Sequence, residues 1–157
     1  MRSLKWIFAV SLVLGMPSIL EAAGAQILKV LPHYLDKKGR NTLAPGLYDR
    51  DFYQAQLRQN PALRSGIRMD VECKARDVDW SKTKLRVELR GVTGKAIVLQ
   101  TLETPLKKSG WFGKWNEVIL SGDDYKKFGE LAAWRVTILE GEEKLAEQKS
   151  FLWDDKK

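Results

Sequence analysis

The chain contains one cysteine, Cys73, and one histidine, His33. A single cysteine forms no disulfide within the chain, so stability must come from an apolar core and not from cross-links. A single histidine supports neither a zinc cluster nor a relay between imidazoles. No Gly-x-Ser-x-Gly turn presents a nucleophile, and no glycine-rich loop is present to cradle phosphates. Asn41, Asn60 and Asn116 all have followers that forbid N-glycosylation. The longest basic run is two lysines, which argues against a nucleic-acid arm or a polybasic tail. These shortages lead to the expectation of a non-enzymatic protein with no cofactor, no metal and no nucleic-acid partner.

Long apolar runs are also scarce, and the longest lies at the start. Arg2 and Lys5 precede the uncharged stretch Trp6 to Leu14, followed by Gly15, Pro17 and the small-x-small sequence Ala23-Gly24-Ala25. This is the order of an export signal, and the stretch is shorter than the ~20 residues of a membrane-spanning helix. Residues 1–25 are therefore expected to be a signal peptide, and 26–157 a single domain without a transmembrane span. Export to a bacterial periplasm or exterior follows. The whole chain carries 27 basic and 20 acidic side chains, a net +7; without the signal the counts are 25 and 19, about +6. A basic exported domain is drawn to anionic surfaces, which points to an envelope protein or an anionic polysaccharide as partner.

Pattern supplies the fold. Ile27 to Leu35 forms a first strand, with Pro32 placing it at an edge, and Asp36-Lys37-Lys38-Gly39 turns the chain. Tyr48, Phe52 and Ala55 recur at helical spacing, predicting a helix over about 48–59 with that apolar face turned inward; Pro61 ends it. From Gly66 the period becomes two. Ile67, Met69, Val71, Cys73 and Ala75 alternate with charged residues, as do Leu85, Val87 and Leu89. Gly91 to Gly94 predicts a turn, and further strands follow at Ala96 to Glu103, Trp115 to Leu120, Leu131 to Glu140 and Lys144 to Trp153. Ser121 with Asp124 matches a capping box for a short helical turn near 122–128. Tyr125 and Phe128 share one side of that turn, placed to plug an end of the fold.

The expected fold class is thus all-β, an antiparallel sandwich of about seven strands with one inserted helix. This pattern resembles the immunoglobulin and fibronectin-III-like sandwiches over about Ile27 to Trp153. The resemblance is architectural, because Cys73 has no partner for the cysteine pair of true immunoglobulin domains. No family residue role carries over.

The aromatics divide by the same alternation. Trp134, Val136 and Ile138 share a face, which assigns them to the core with Val71, Cys73 and Val87; Cys73 reads as a buried small hydrophobe. Trp111 and Phe112 stand between Gly110 and Gly113, with Lys107, Lys108 and Lys114 nearby. Neighbours on a strand point to opposite faces, so the pair reads either as a bulge or loop folded back over the sandwich edge or as one aromatic left outside beside the lysines, a contact for a partner. Trp80 in a loop and Trp153 at the last strand end are further contact candidates. The alternative is a carbohydrate-binding module in which Trp80, Trp111 or Trp153 stacks on sugars. A third reading is a small hydrolase using one of the carboxylate pairs Asp49/Asp51, Asp77/Asp79 or Asp123/Asp124, whose plainer roles are a helix start, a turn and a cap. His33 reads as a surface residue at a strand end. The leading expectation is an exported binding or structural module of the cell envelope.

Overall fold

The computed structural model describes residues 24–110 and 112–154. Among them, seven strands and two helices run in the order β1 (Gly24–Asp36), α1 (Leu47–Gln59), β2 (Arg64–Arg76), β3 (Thr83–Thr93), β4 (Ala96–Pro105), β5 (Lys114–Ser121), α2 (Gly122–Phe128), β6 (Glu130–Glu140) and β7 (Glu143–Lys149). One sheet has the order β1-β2-β5 and the other β4-β3-β6-β7, with antiparallel pairing throughout. The two antiparallel sheets are consistent with an all-β sandwich. Apart from Gly24 and Ala25, which begin β1, the expected export signal lies outside the described residues, as does Trp111.

Alternation along β2, β3 and β6 fills the space between the sheets. Val71, Cys73, Val87, Val136 and Ile138 are all buried there, and Trp134 packs against this cluster partly exposed. Phe128 is fully buried and Tyr125 packs beside the same cluster, so α2 plugs one end. The close fit shows at Gly91, where a Cβ would stand 2.1 Å from the Phe128 carbonyl oxygen. Pairing of Gly91 with Val98 and of Val92 with Ile97 corrects the expected turn at Gly91 to Gly94. β3 continues through Gly91, and only Gly94-Lys95 reverses the chain, with Gly94 at φ +61° and Thr93 paired to Ala96. Ser121 makes no side-chain capping bond, so the capping box does not form.

The face of α1 is also corrected. Gln54 and Leu57 are buried, whereas Tyr48 and Phe52 are exposed. The cause is the neighbour: α1 packs against β1, an edge strand with unpaired backbone groups. Gln54 Oε1 accepts from Tyr34 N–H (2.8 Å), and Gln54 Nε2 donates to the Tyr34 carbonyl (2.9 Å) and to that of Asn41 (2.7 Å). A polar residue therefore takes the inner position that apolar spacing assigns to Phe52. The turn before α1 is held by Asp36, whose carboxylate accepts from Lys38 N–H, Arg40 N–H, Arg40 Nε and the Tyr53 hydroxyl. Burial alone would raise this carboxyl's pKa, but those donors outweigh it and hold it far below the usual carboxylate range.

The last strand ends sooner than expected, at Lys149. Ser150 bonds twice to the Trp134 backbone, and a turn from the Ser150 carbonyl to Trp153 N–H follows. Trp153 is buried, with the Arg90 guanidinium 3.9 Å and that of Arg135 4.9 Å from its ring. This removes Trp153 from the exposed contact candidates: cation–π stacking claims its faces.

Candidate binding cleft beside the inserted helix

Register builds the outer face of the three-stranded sheet in rows. His33 pairs with Arg68 and Arg68 with Ile119; Leu31 pairs with Asp70 and Asp70 with Glu117; Lys29 pairs with Glu72 and Glu72 with Trp115. The polar residues that alternate with the core residues of β2 thus gather between His33 and Trp115. Arg50 from α1 and Asn41 from the preceding loop close one side. The result is a cleft of about 290 Å³ lined by Leu31, His33, Asn41, Arg50, Arg68, Asp70 and Trp115.

His33 is only 6% exposed, which corrects its reading as a surface residue. The insertion that carries α1 folds back against β1 and encloses it. Its Nδ1 lies 2.9 Å from Asp70 Oδ2. An ionised carboxylate can only accept, so His33 Nδ1 is the donor in this bond. No described buried side-chain nitrogen or oxygen lacks a partner, and the described bond of His33 is at Nδ1, so its Nε2 keeps some contact with solvent. Arg68 donates from Nε (3.2 Å) and Nη2 (2.9 Å) to the same Oδ2, and Nη1 lies 3.6 Å from Glu117. Burial would raise the Asp70 pKa, but the bonds from His33 and Arg68 prevail and hold it below its ordinary value. All described bonds to Asp70 fall on Oδ2, so Oδ1 is an accepting group without a protein donor.

A second cleft, about 360 Å³, shares His33 and is lined also by Pro32, Tyr34, Arg58, Arg64, Ile67, Glu130 and Leu131. Arg64 organises it. Its guanidinium donates to the Leu57 and Arg58 carbonyls at the end of α1 and forks onto Glu130 at 2.6 and 2.7 Å. It also lies 4.0 Å from the centre of the Tyr34 ring. Burial pushes the Tyr34 phenol pKa up, and the Glu130 charge adds to the shift. This second cleft is spanned by internal bonds. The first keeps Asp70 Oδ1 without a protein donor and has the exposed Trp115 indole in its lining.

The chain has no match among family models, curated proteins or solved structures. The site must therefore be read from its own chemistry.

Of the contact residues expected from sequence, Phe112, Lys107, Lys108 and Lys114 are exposed. Their loop is anchored at both ends: Asn116 Oδ1 accepts from Lys107 N–H (2.9 Å), and Ser109 Oγ accepts from Ala75 N–H (3.0 Å). Gly113 passes close over the outer face, where a Cβ would meet Leu28 and Glu72. The loop therefore adjoins the Trp115 end of the first cleft. Trp80 does not join it, since it packs against the core cluster from the loop between β2 and β3. Trp115 was missed as a site residue. At 42% exposure it is an open indole on this face, and its phase with Glu117, opposite to buried Val118 and Leu120, was the available signal.

One member of each carboxylate pair is bound by a neighbour in sequence. Arg50 binds Asp51, Asp79 accepts from Ser81 N–H and Oγ, and Lys126 binds Asp123. Burial, with Glu72 adding to it, pushes the Cys73 thiol pKa up to about 12. Among the described residues, no group of three or more His, Cys, Asp or Glu is placed to hold a metal ion, and no helix is long and apolar enough to cross a membrane.

Proposed function

We propose that this chain is an exported, non-catalytic binding module of the cell envelope, built on an immunoglobulin-like sandwich. Its ligand surface is the outer face of the three-stranded sheet, from the lysine-bearing loop to the cleft at His33. The fold assignment draws support from the strand order. The fourth strand pairs with the third, and β1-β2-β5 faces β4-β3-β6-β7, an arrangement of the fibronectin-III kind. Export rests on the pattern of residues 1–25.

One observation carries the binding reading: a nearly buried histidine and Arg68 fix the Asp70 carboxylate through Oδ2 alone, which leaves Oδ1 without a protein donor in a cleft that also holds an open indole. Buried polar groups are ordinarily satisfied within the protein, and an acceptor left open in a concave site is what a ligand uses for orientation. Exposed Phe112, Lys107, Lys108 and Lys114, with Trp111 beside them in sequence, extend the surface toward an anionic partner.

The test has two parts. Residues 1–25 fused to a reporter active only outside the cytoplasm should export it. Residues 26–157 labelled with ¹⁵N should then be titrated with solubilised envelope fractions from a bacterial host. The proposal predicts shifts at the His33 ring and the Trp115 indole. Shifts confined to the far sheet, or none with any fraction, would refute the assignment of this face.

A further inference from the structure

We infer that the cleft between β1, β2, β5 and α1 takes a pyranose ring carrying a carboxylate, the repeating unit of a uronic-acid polysaccharide. The inference rests on the proposed binding role and names the ligand class of that same site.

The lining fits this chemistry group by group. A pyranose has an apolar face of C–H groups and a rim of hydroxyls. Trp115 offers an open indole against which such a face stacks. The hydroxyl rim needs acceptors and donors held at fixed positions. Asp70 Oδ1 is an acceptor, immobilised by the bonds that Asp70 Oδ2 receives from His33 and Arg68. Asn41 completes the lining on the side of the inserted segment. The cleft, about 290 Å³, is at the small end for ligand sites and suits a single ring with its substituents.

Charge selects the carboxylate. Arg68 is engaged by Asp70 and Glu117, so its charge is largely answered. Arg50 is different: its described partner is the neighbouring Asp51, through exposed contacts of 3.2 and 3.3 Å. A guanidinium in that state exchanges a weak partner for the bidentate grip of a ligand carboxylate at little loss. Lys107 and Lys108, on the loop adjoining the Trp115 end, and Lys114, which begins β5, favour further anionic units along a chain. A flat polyanion without a sugar face would use the cations but leave Trp115 idle. A neutral sugar would use Trp115 but leave Arg50 idle.

Residues 26–157 should be titrated with tetragalacturonate, with a neutral galactotetraose and with tetraglutamate. The assigned indole signal of Trp115 and calorimetric affinity are the readouts. Tetragalacturonate should bind at least tenfold more tightly than either comparison ligand and should shift Trp115. Trp115→Ala should weaken it by tenfold or more, Arg50→Gln and Asp70→Asn by about fivefold or more, and Trp115→Phe should retain most of the affinity. Equal affinity for galactotetraose, or tetraglutamate binding that ignores Trp115→Ala, would overturn the uronate assignment. If no glycan binds yet envelope fractions still shift His33 and Trp115, this inference fails and the binding-module reading stands; silence in every titration overturns both.

Discussion

Replacing Arg64 by alanine tests how the inserted helix is fastened. The Arg64 side chain is 2% exposed while its partner Glu130 is 57% exposed, and this asymmetry sets the expected energetics. Losing one member of a fully buried ion pair costs about 3–5 kcal/mol, because the other charge is stranded. Here the Glu130 carboxylate simply rehydrates, so the pair itself contributes only about 0–1 kcal/mol. The larger loss is at the end of α1, where the Leu57 and Arg58 carbonyls each lose a charged donor. At about 1.5 kcal/mol for each, the low end for a charged hydrogen bond, the helix end accounts for roughly 3 kcal/mol. Arg64→Ala should therefore lower the urea unfolding free energy of residues 26–157 by ~3–4 kcal/mol. Glu130→Gln keeps an acceptor for Arg64 Nη1 but removes the charge that answers a buried guanidinium, so it should lower it by about 1–2 kcal/mol, less than Arg64→Ala. Tryptophan fluorescence during urea titration gives both values, and the double variant gives the coupling between them. If Glu130→Gln costs as much as Arg64→Ala, the ion pair and not the carbonyl cap holds the helix, and the reasoning is wrong.

Gly91→Ala drives a methyl group against the Phe128 backbone and should cost ~1–3 kcal/mol in the same titration, whereas Gly110→Ala, with open space around it, should change nothing; equal effects would contradict the packing of α2. Cys73 should stay unmodified by a thiol reagent at pH 8 until denaturant is added, since it is buried and its thiol pKa stands near 12; rapid modification of the native chain would place it outside the core. Asp36 has a folded pKa well below its unfolded value of ~3.9, so its contribution is complete above about pH 4 and is lost progressively as pH falls further. Asp36→Asn should flatten that acid limb of the stability profile, and an unchanged limb would show that the carboxylate is not held as described.

Strand phase was legible in the sequence because each strand of the core has a dry face and a wet one. Ile67 to Ala75 alternate without a break, and all their inner residues are buried. Phase also marked Trp115 as outward, although nothing local said that it would border a cavity. Two features were not legible. Apolar spacing assigned Tyr48 and Phe52 to the inner side of α1, but helix orientation was decided by the hydrogen-bonding needs of a strand some 20 residues away in sequence. His33 looked peripheral because its enclosure depends on where the insertion lands. The cleft joins residues 31–70 to Trp115, a juxtaposition created by sheet register, and no linear spacing encodes it.

The Gln54 amide offers Tyr34 one acceptor and one donor, as an adjoining strand would. It thereby occupies a position where a foreign strand would otherwise dock. Clipping out the insertion would leave the Tyr34 N–H and carbonyl idle at the edge of β1, and such chains would be expected to associate edge to edge more readily than intact ones. The helix thus works as a stopper on the sheet as well as a wall of the cleft.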